Sequence, residues 1–225
     1  MDSERHSYRT KRSKILCLHG IGTNSDIFEA QTAALRHRLG DDIDYDFIEG
    51  AHPWPAAPGI AETFGSQQVF YSYLDGTAQG AVEAINALEQ YAEDAGPFDA
   101  IIGFSLGAAL AATLLLRGGS QTAQPAFRSA VFLSGTLPGD WDLLEKGVMG
   151  FLQANQVKAP IQIPTVHAWD PQDPDHPGQS HELLQMCCEK NRVPVQHGAG
   201  HGVPSREEEV GALAAAIKGM LASLD

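Results

Sequence analysis

The sequence predicts an α/β architecture: a mostly parallel sheet with helices on both faces and small cap or lid insertions. Aliphatic and β-branched runs alternate with helical stretches along all 225 residues, the pattern that builds parallel sheets from strand-helix-strand units. Two of the apolar runs end in glycine-rich turns, where the chain must reverse tightly and approach other backbone. No repeat, low-complexity block or long linker divides the chain. The length suits one domain, 14–225, preceded by a disordered tail over 1–13.

The elements follow in order. Lys14-Ile15-Leu16-Cys17-Leu18 is a hydrophobic strand, 14–19, running into His19-Gly20-Ile21-Gly22. A helix over 25–39, a strand over 43–49 and a helix over 78–94 come next. Phe98-Asp99-Ala100-Ile101-Ile102 marks a strand, 98–103, and the Ala/Leu-rich stretch after it a helix, 106–117. A strand over 128–134 and a helix over 141–154 precede the β-branched run Ile161 to Trp169, read as strand 161–168. A helix over 179–189, a strand over 192–197 and a last helix over 205–223 complete the alternation.

Gly103-Phe104-Ser105-Leu106-Gly107 lies between a strand and a helix, the setting of a nucleophile elbow. A serine at such a turn is held in a strained backbone conformation that presents its hydroxyl, and the flanking glycines avoid collision with neighbouring strand and helix. Ser105 is therefore the candidate nucleophile, against the bland alternative of an idle serine in a tight turn. Its base is sought near the C-terminus, where the glycine-rich loop 198–202 carries His201; His197, at the strand end, is the reserve. The acid is sought beyond the strand at 161–168. Asp173 is preferred there, because a turn formed by Asp170 to Gln172 lets the chain reverse and aim its carboxylate at His201, with Asp170 and Asp175 as competitors; acidic residues before prolines also serve as plain turn formers. The backbone amides of Ile21 and Leu106 are the expected oxyanion hole, and His19 is read as structural.

Two segments are expected to line the substrate pocket. One is the long loop 50–76, with Trp54, Phe64, Phe70 and Tyr71; the other is 137–152, with Trp141, Met149 and Phe151. Loops this long commonly serve as lids or binding loops, and an apolar pocket points to an acyl or aromatic substrate.

Leu18-His19-Gly20, Ile27-Phe28-Glu29 with Gln31-Thr32 and Leu35, Pro58-Gly59-Ile60, Gly96-Pro97-Phe98-Asp99, the elbow with Ala108-Ala109, and His197-Gly198-Ala199-Gly200-His201-Gly202-Val203-Pro204 together resemble the fungal "family of serine hydrolases" group of the α/β-hydrolases. The resemblance implies the α/β-hydrolase fold, a Ser105-Asp173-His201 triad by position, no cofactor, and an esterase or thioesterase activity. Some members release polyketide or other acyl chains from carrier proteins, so it tilts the reading toward a thioesterase of fungal secondary metabolism. A carboxylesterase, or an acyltransferase or cyclase using the same acyl-enzyme, is the alternative; a non-catalytic relative is a third. Three departures stand out. Leu106 replaces a common glutamine, Asp170 a glycine, and Ala199 a glycine of the His loop, which disfavours positive φ there.

The net charge of −13 opposes nucleic-acid and anionic-membrane partners. A carrier protein is itself acidic, so docking one would need a basic patch, around Arg36, His37 and Arg38 or around Arg192 and Arg206. No signal peptide or spanning segment is legible. The three cysteines, Cys17, Cys187 and Cys188, suit a reducing, cytoplasmic setting rather than a disulfide framework. Cys17 is read as core. No His, Cys or Asp spacing suggests a metal, and His176 and His181 are read as surface residues.

Overall fold

The computed structural model describes residues 12–117 and 127–224. Residues 1–11 of the expected tail lie outside them; Ser13 already opens the first strand. Six parallel strands, β1 (Ser13–Leu18), β2 (Ile43–Ile48), β5 (Phe98–Phe104), β6 (Phe127–Leu133), β7 (Thr165–Trp169) and β8 (Arg192–Gln196), form one sheet in the order β2-β1-β5-β6-β7-β8. Between β2 and β5 a separate antiparallel hairpin joins β3 (His52–Trp54) to β4 (Phe70–Ser72).

The period of two along each strand splits the apolar side chains between two faces. Ile15, Cys17, Ile102, Val131 and Val166 pack against α1 (Ser25–Gln31), α2 (Ala33–Leu39) and α8 (Glu207–Ala222). Leu16, Leu18, Ile101, Ala130 and Phe132 pack against α4 (Ala78–Ala95), α5 (Leu106–Arg117) and α7 (Gln179–Gln185). The predicted two-faced α/β sheet is what forms. Cys17 is buried in it, and burial pushes its thiol well up. Among the described residues no helix is long and apolar enough to cross a membrane.

Several predicted bounds shift for identifiable reasons. The helix over 25–39 divides at Thr32, whose hydroxyl donates back to the Phe28 carbonyl at 2.8 Å, a competition that bends helices. The strand over 161–168 starts only at Thr165 because Pro164 has no N–H to give to the ladder. The helix over 141–154 shrinks to α6 (Trp141–Leu144) and a 3-10 turn at Ala154–Gln156, Gly147 turning the chain at φ 76°. The loop 50–76 is not irregular: besides the β3-β4 hairpin it holds α3 (Ile60–Phe64).

His167, on β7, is buried against Phe132 with Nε2 3.0 Å from the Thr165 hydroxyl. Burial first, and the charge of Arg192 second, lower its pKa from 6.5 to about 3. The unfolded chain therefore takes up this proton before the folded one does. The resulting stability is complete above the unfolded pKa and is lost, at about 1.4 kcal/mol per pH unit, as pH falls toward the folded value. Urea unfolding at pH 7 and pH 5 should show a smaller acid loss in His167→Leu than in the parent chain; equal losses would refute the linkage.

Candidate active site

The strand order places the carboxyl ends of β1, β5, β6, β7 and β8 side by side, and Ile21, Ser105, Leu106, Asp173 and His201 each lie just beyond one of them. At the end of β5 the chain turns through Ser105 with φ 52°. That left-handed conformation is unfavourable for a residue with a Cβ, and the surroundings impose it. The Ser105 N–H donates to the Leu133 carbonyl at 3.0 Å, while its carbonyl accepts the Ala109 N–H at 3.1 Å. A Cβ on Gly103 would stand 2.5 Å from the Ala108 nitrogen, and one on Gly107 would strike the carbonyl oxygens of Leu18 and His19. The glycines thus let α5 lie directly on β5 and β1.

His201 Nε2 lies 2.8 Å from Ser105 Oγ and Nδ1 lies 2.7 Å from Asp173 Oδ2. The tautomer consistent with both neighbours has Nδ1–H donating to the carboxylate and Nε2 accepting the serine proton. Asp173 is the carboxylate on Nδ1. Its other oxygen accepts the N–H groups of Asp175 at 2.9 Å and His176 at 3.1 Å. Burial pushes the Asp173 carboxyl up, but His201 and these two amides outweigh it and hold the pKa below the ordinary value.

The competing acids and base occupy different posts. Asp170 accepts the N–H groups of Gln172 and Gly200, both at 2.8 Å, so it fastens the His201 loop from below. His197 is buried and accepts the Ala199 N–H at Nδ1. Ala199 keeps a negative φ, the left-handed position in that loop being taken by Gly200 at φ 59°. His19 is fully buried and stacks on Tyr73; its ring nitrogens meet the Gly20 carbonyl at 2.7 Å and the Gly50 N–H at 3.0 Å. Burial lowers its pKa, which suits the expected structural role.

The N–H groups of Ile21 and Leu106 donate to no acceptor among the described residues, so both are available to a developing oxyanion. The Ile21 loop is braced by the β3-β4 hairpin, where the Tyr71 carbonyl accepts the Gly22 N–H at 2.9 Å and the Tyr71 N–H donates to the Thr23 carbonyl at 2.7 Å.

The expected pocket residues scatter. Phe151, with Met149, lines an apolar cavity that Leu106, Leu110 and Thr136 border beside the elbow. Trp141 lies deeper, its ring 4.5 Å from the Arg117 guanidinium carbon. Phe64 and Tyr71 line a groove with Asn24 and Gln68 on the oxyanion-loop side. Trp54 and Phe70 oppose each other across the hairpin, with Phe70 buried, so their part is to hold that hairpin together.

Two residues escaped the sequence reading. His176 is no isolated surface residue: it is half-buried, with its ring 4.6 Å from that of His201. Burial first, and the neighbouring His201 second, lower its pKa. Ser134 ends β6 in a second left-handed turn, φ 42°, and its buried hydroxyl donates to the Gly202 carbonyl at 2.8 Å. No sequence signal marks it, because a serine at positive φ follows only from the tertiary setting.

A family model described as "Serine hydrolase (FSH1)" matches residues 8–213. Esterase FPY3 of Fusarium mangiferae is 39% identical over 194 residues, covering 85% of this chain and 88% of that protein. Esterase OVCA2 of Bos taurus is 30% identical, with 85% and 89% covered. The probable esterase tazC of Aspergillus terreus is also 30% identical, with 88% of each chain covered. Among solved structures, Arabidopsis thaliana SOBER1 superposes with a TM-score of 0.60 at 16% identity, over 93% of this chain and 99% of the other. The Bacillus cereus carboxylesterase gives 0.60 at 18%, over 94% and 90%. These structural likenesses speak for the α/β-hydrolase fold.

Ser134→Gly keeps the backbone conformation accessible while removing the bond to the Gly202 carbonyl. Freed on that side, the His201 loop should lose aim, and kcat should fall about tenfold with little change in KM. Steady-state kinetics on the folded variant checks this; an unchanged kcat would show that the bond is dispensable.

Proposed function

The chain belongs to the FSH1 family of serine hydrolases, and from that premise we propose that Ser105, His201 and Asp173 hydrolyse a small ester with an apolar acyl group. The observation that carries this reading is the unbroken path from Ser105 Oγ through both nitrogens of His201 to Asp173, at 2.8 and 2.7 Å.

In the proposed reaction His201 Nε2 takes the Ser105 proton as Oγ attacks the acyl carbon. The carbonyl electrons move to oxygen, which the Ile21 and Leu106 amides bind. Collapse of the tetrahedral intermediate breaks the acyl–oxygen bond, and His201 returns the proton to the departing alcohol. Water repeats the sequence on the acyl-enzyme, releasing the acid and restoring Ser105. Asp173 steadies the imidazolium and fixes the tautomer throughout.

The proposed substrate is a freestanding ester rather than one presented by an acidic carrier protein. Three of the four arginines of the expected docking patches are paired with carboxylates, Arg36 3.3 Å from Glu29, Arg38 2.6 Å from Glu207 and Arg206 3.6 Å from Glu209, and Arg192 donates to the Leu184 carbonyl at 2.8 Å. A thioester acyl group would be handled by the same three side chains, since a thiolate leaves without needing the proton.

Ser105→Ala and His201→Ala should each lower kcat by about 10³-fold or more, and Asp173→Asn by somewhat less, with the fold retained. Intact mass after fluorophosphonate treatment should show one adduct on the parent chain and none on Ser105→Ala. An adduct surviving in that variant would overturn the assignment. Matched oxyester and thioester substrates of one acyl group then rank the two donors.

A further inference from the structure

Two cavities lie end to end along α5. The first, about 60 Å³, opens beside the elbow and is bordered by Leu106, Leu110, Thr136 and Phe151. The second, about 360 Å³, lies farther along the helix against Leu116, Arg117, Trp141 and Val157. Thr113 and Gly139 line both, so they form the wall between them.

That wall is built rather than incidental. Thr113 Oγ1 donates to the Ala109 carbonyl at 2.7 Å and accepts the Gly139 N–H at 2.9 Å, which ties α5 to the 137–152 insertion. Gly139 is wedged: a Cβ there would stand 2.8 Å from Leu144 and 3.7 Å from the Thr113 methyl. The insertion is closed on itself by the Gly139–Phe151 bridge and the Asp140 N–H to Gly150 carbonyl bond at 2.9 Å, so the wall has no easy way to swing aside.

We propose that Thr113 is the residue that sets acyl chain length, ending the acyl pocket at its contact with Gly139 and keeping the larger cavity out of reach. The inference rests on the ester reading above. From Leu106 to Thr113 the helix rises about 10 Å, roughly the extended length of an eight-carbon chain. A butyryl chain reaches about half that distance and ends before the wall. A chain of eight carbons or more must fold back or displace the Thr113–Gly139 bond, which leaves a part-buried N–H unpaired. With the wall cut down, the distal methylenes gain room along the apolar side of the larger cavity, Leu116, Trp141, Leu152 and Val157, away from its charged rim of Arg117, Asp140, Asp142 and Lys158, and discrimination by a few methylenes in such a pocket is about tenfold or more.

The test uses p-nitrophenyl butyrate and p-nitrophenyl laurate with the full-length chain. Butyrate turnover that disappears in Ser105→Ala establishes the underlying ester reading, and its absence in the parent chain would fail that reading alone. Given turnover, the parent chain should favour butyrate, and Thr113→Ala should raise the laurate-to-butyrate ratio of kcat/KM about tenfold. Thr113→Val, which keeps the bulk, should leave the ratio where it was. Should Thr113→Ala fail to fold, Thr113→Ser, which keeps the hydroxyl and removes the methyl, should move the ratio in the same direction by less. A parent chain that prefers laurate, or an unchanged ratio in the folded smaller variants, overturns the proposal.

Discussion

The close packing of α5 onto β5 and β1 through Gly103 and Gly107 is the constraint on which the rest of the site depends. Because neither glycine has room for a side chain, the helix begins immediately after the strand, and Ser105 is left in a conformation that serine does not choose for itself. The strain is confined to one residue and opposed by the Leu133 and Ala109 bonds on either side. The same closeness sets the N-terminus of α5 against the His19-Gly20 turn that follows β1, with Gly107 against the Leu18 and His19 carbonyls and Gly20 near the Ser105 Cβ.

The loops beyond β6, β7 and β8 are fastened to one another as well as to the sheet. Asp170 holds Gly200, Ser134 holds Gly202, and Asp173 holds His201, so the turn after β6 and the loop after β7 together grip the short loop that carries the imidazole. Preorganisation of this kind removes from the reaction the cost of aiming the ring. Burial does the complementary work on the other histidines. It lowers the pKa of His19, His167, His176 and His197, which disfavours the charged form of these rings, whereas His201 has the Asp173 carboxylate at Nδ1.

The 137–152 insertion packs beside the same elbow. The neighbouring Thr136 hydroxyl donates to the Ser105 carbonyl at 3.3 Å, and the Leu137 N–H donates to Gln179 Oε1 at 3.0 Å, which ties the insertion to α7 as well as to the elbow. Thr113 on α5 and Ser105 just before that helix are both bonded to this region, through Gly139 and Thr136, so α5 is tied to it at two points.

Much was legible because it is local. The alternation of apolar runs and helical stretches identified all six strands of the main sheet, and the strand-turn-helix setting of Ser105, the glycine loop of His201 and the His19-Gly20 turn each carry their signal within a few residues. Element ends were less legible where side chains intervene, as at Thr32 and Pro164, and the β3-β4 hairpin was hidden because its strands are three residues each and pair across the intervening α3. Asp173 and Asp170 are two carboxylates three residues apart, and sequence spacing alone left open which would face His201; in the fold Asp173 meets His201 Nδ1 and Asp170 accepts the Gly200 N–H. Ser134, the packing of His176 on His201 and the wall at Thr113 belong wholly to the tertiary structure. Local sequence determined which segments could turn, pair and present reactive groups, because those properties reside in a few consecutive residues. Only the folded sheet decided which groups meet, because distance between strand ends is set by strand order and packing rather than by position along the chain.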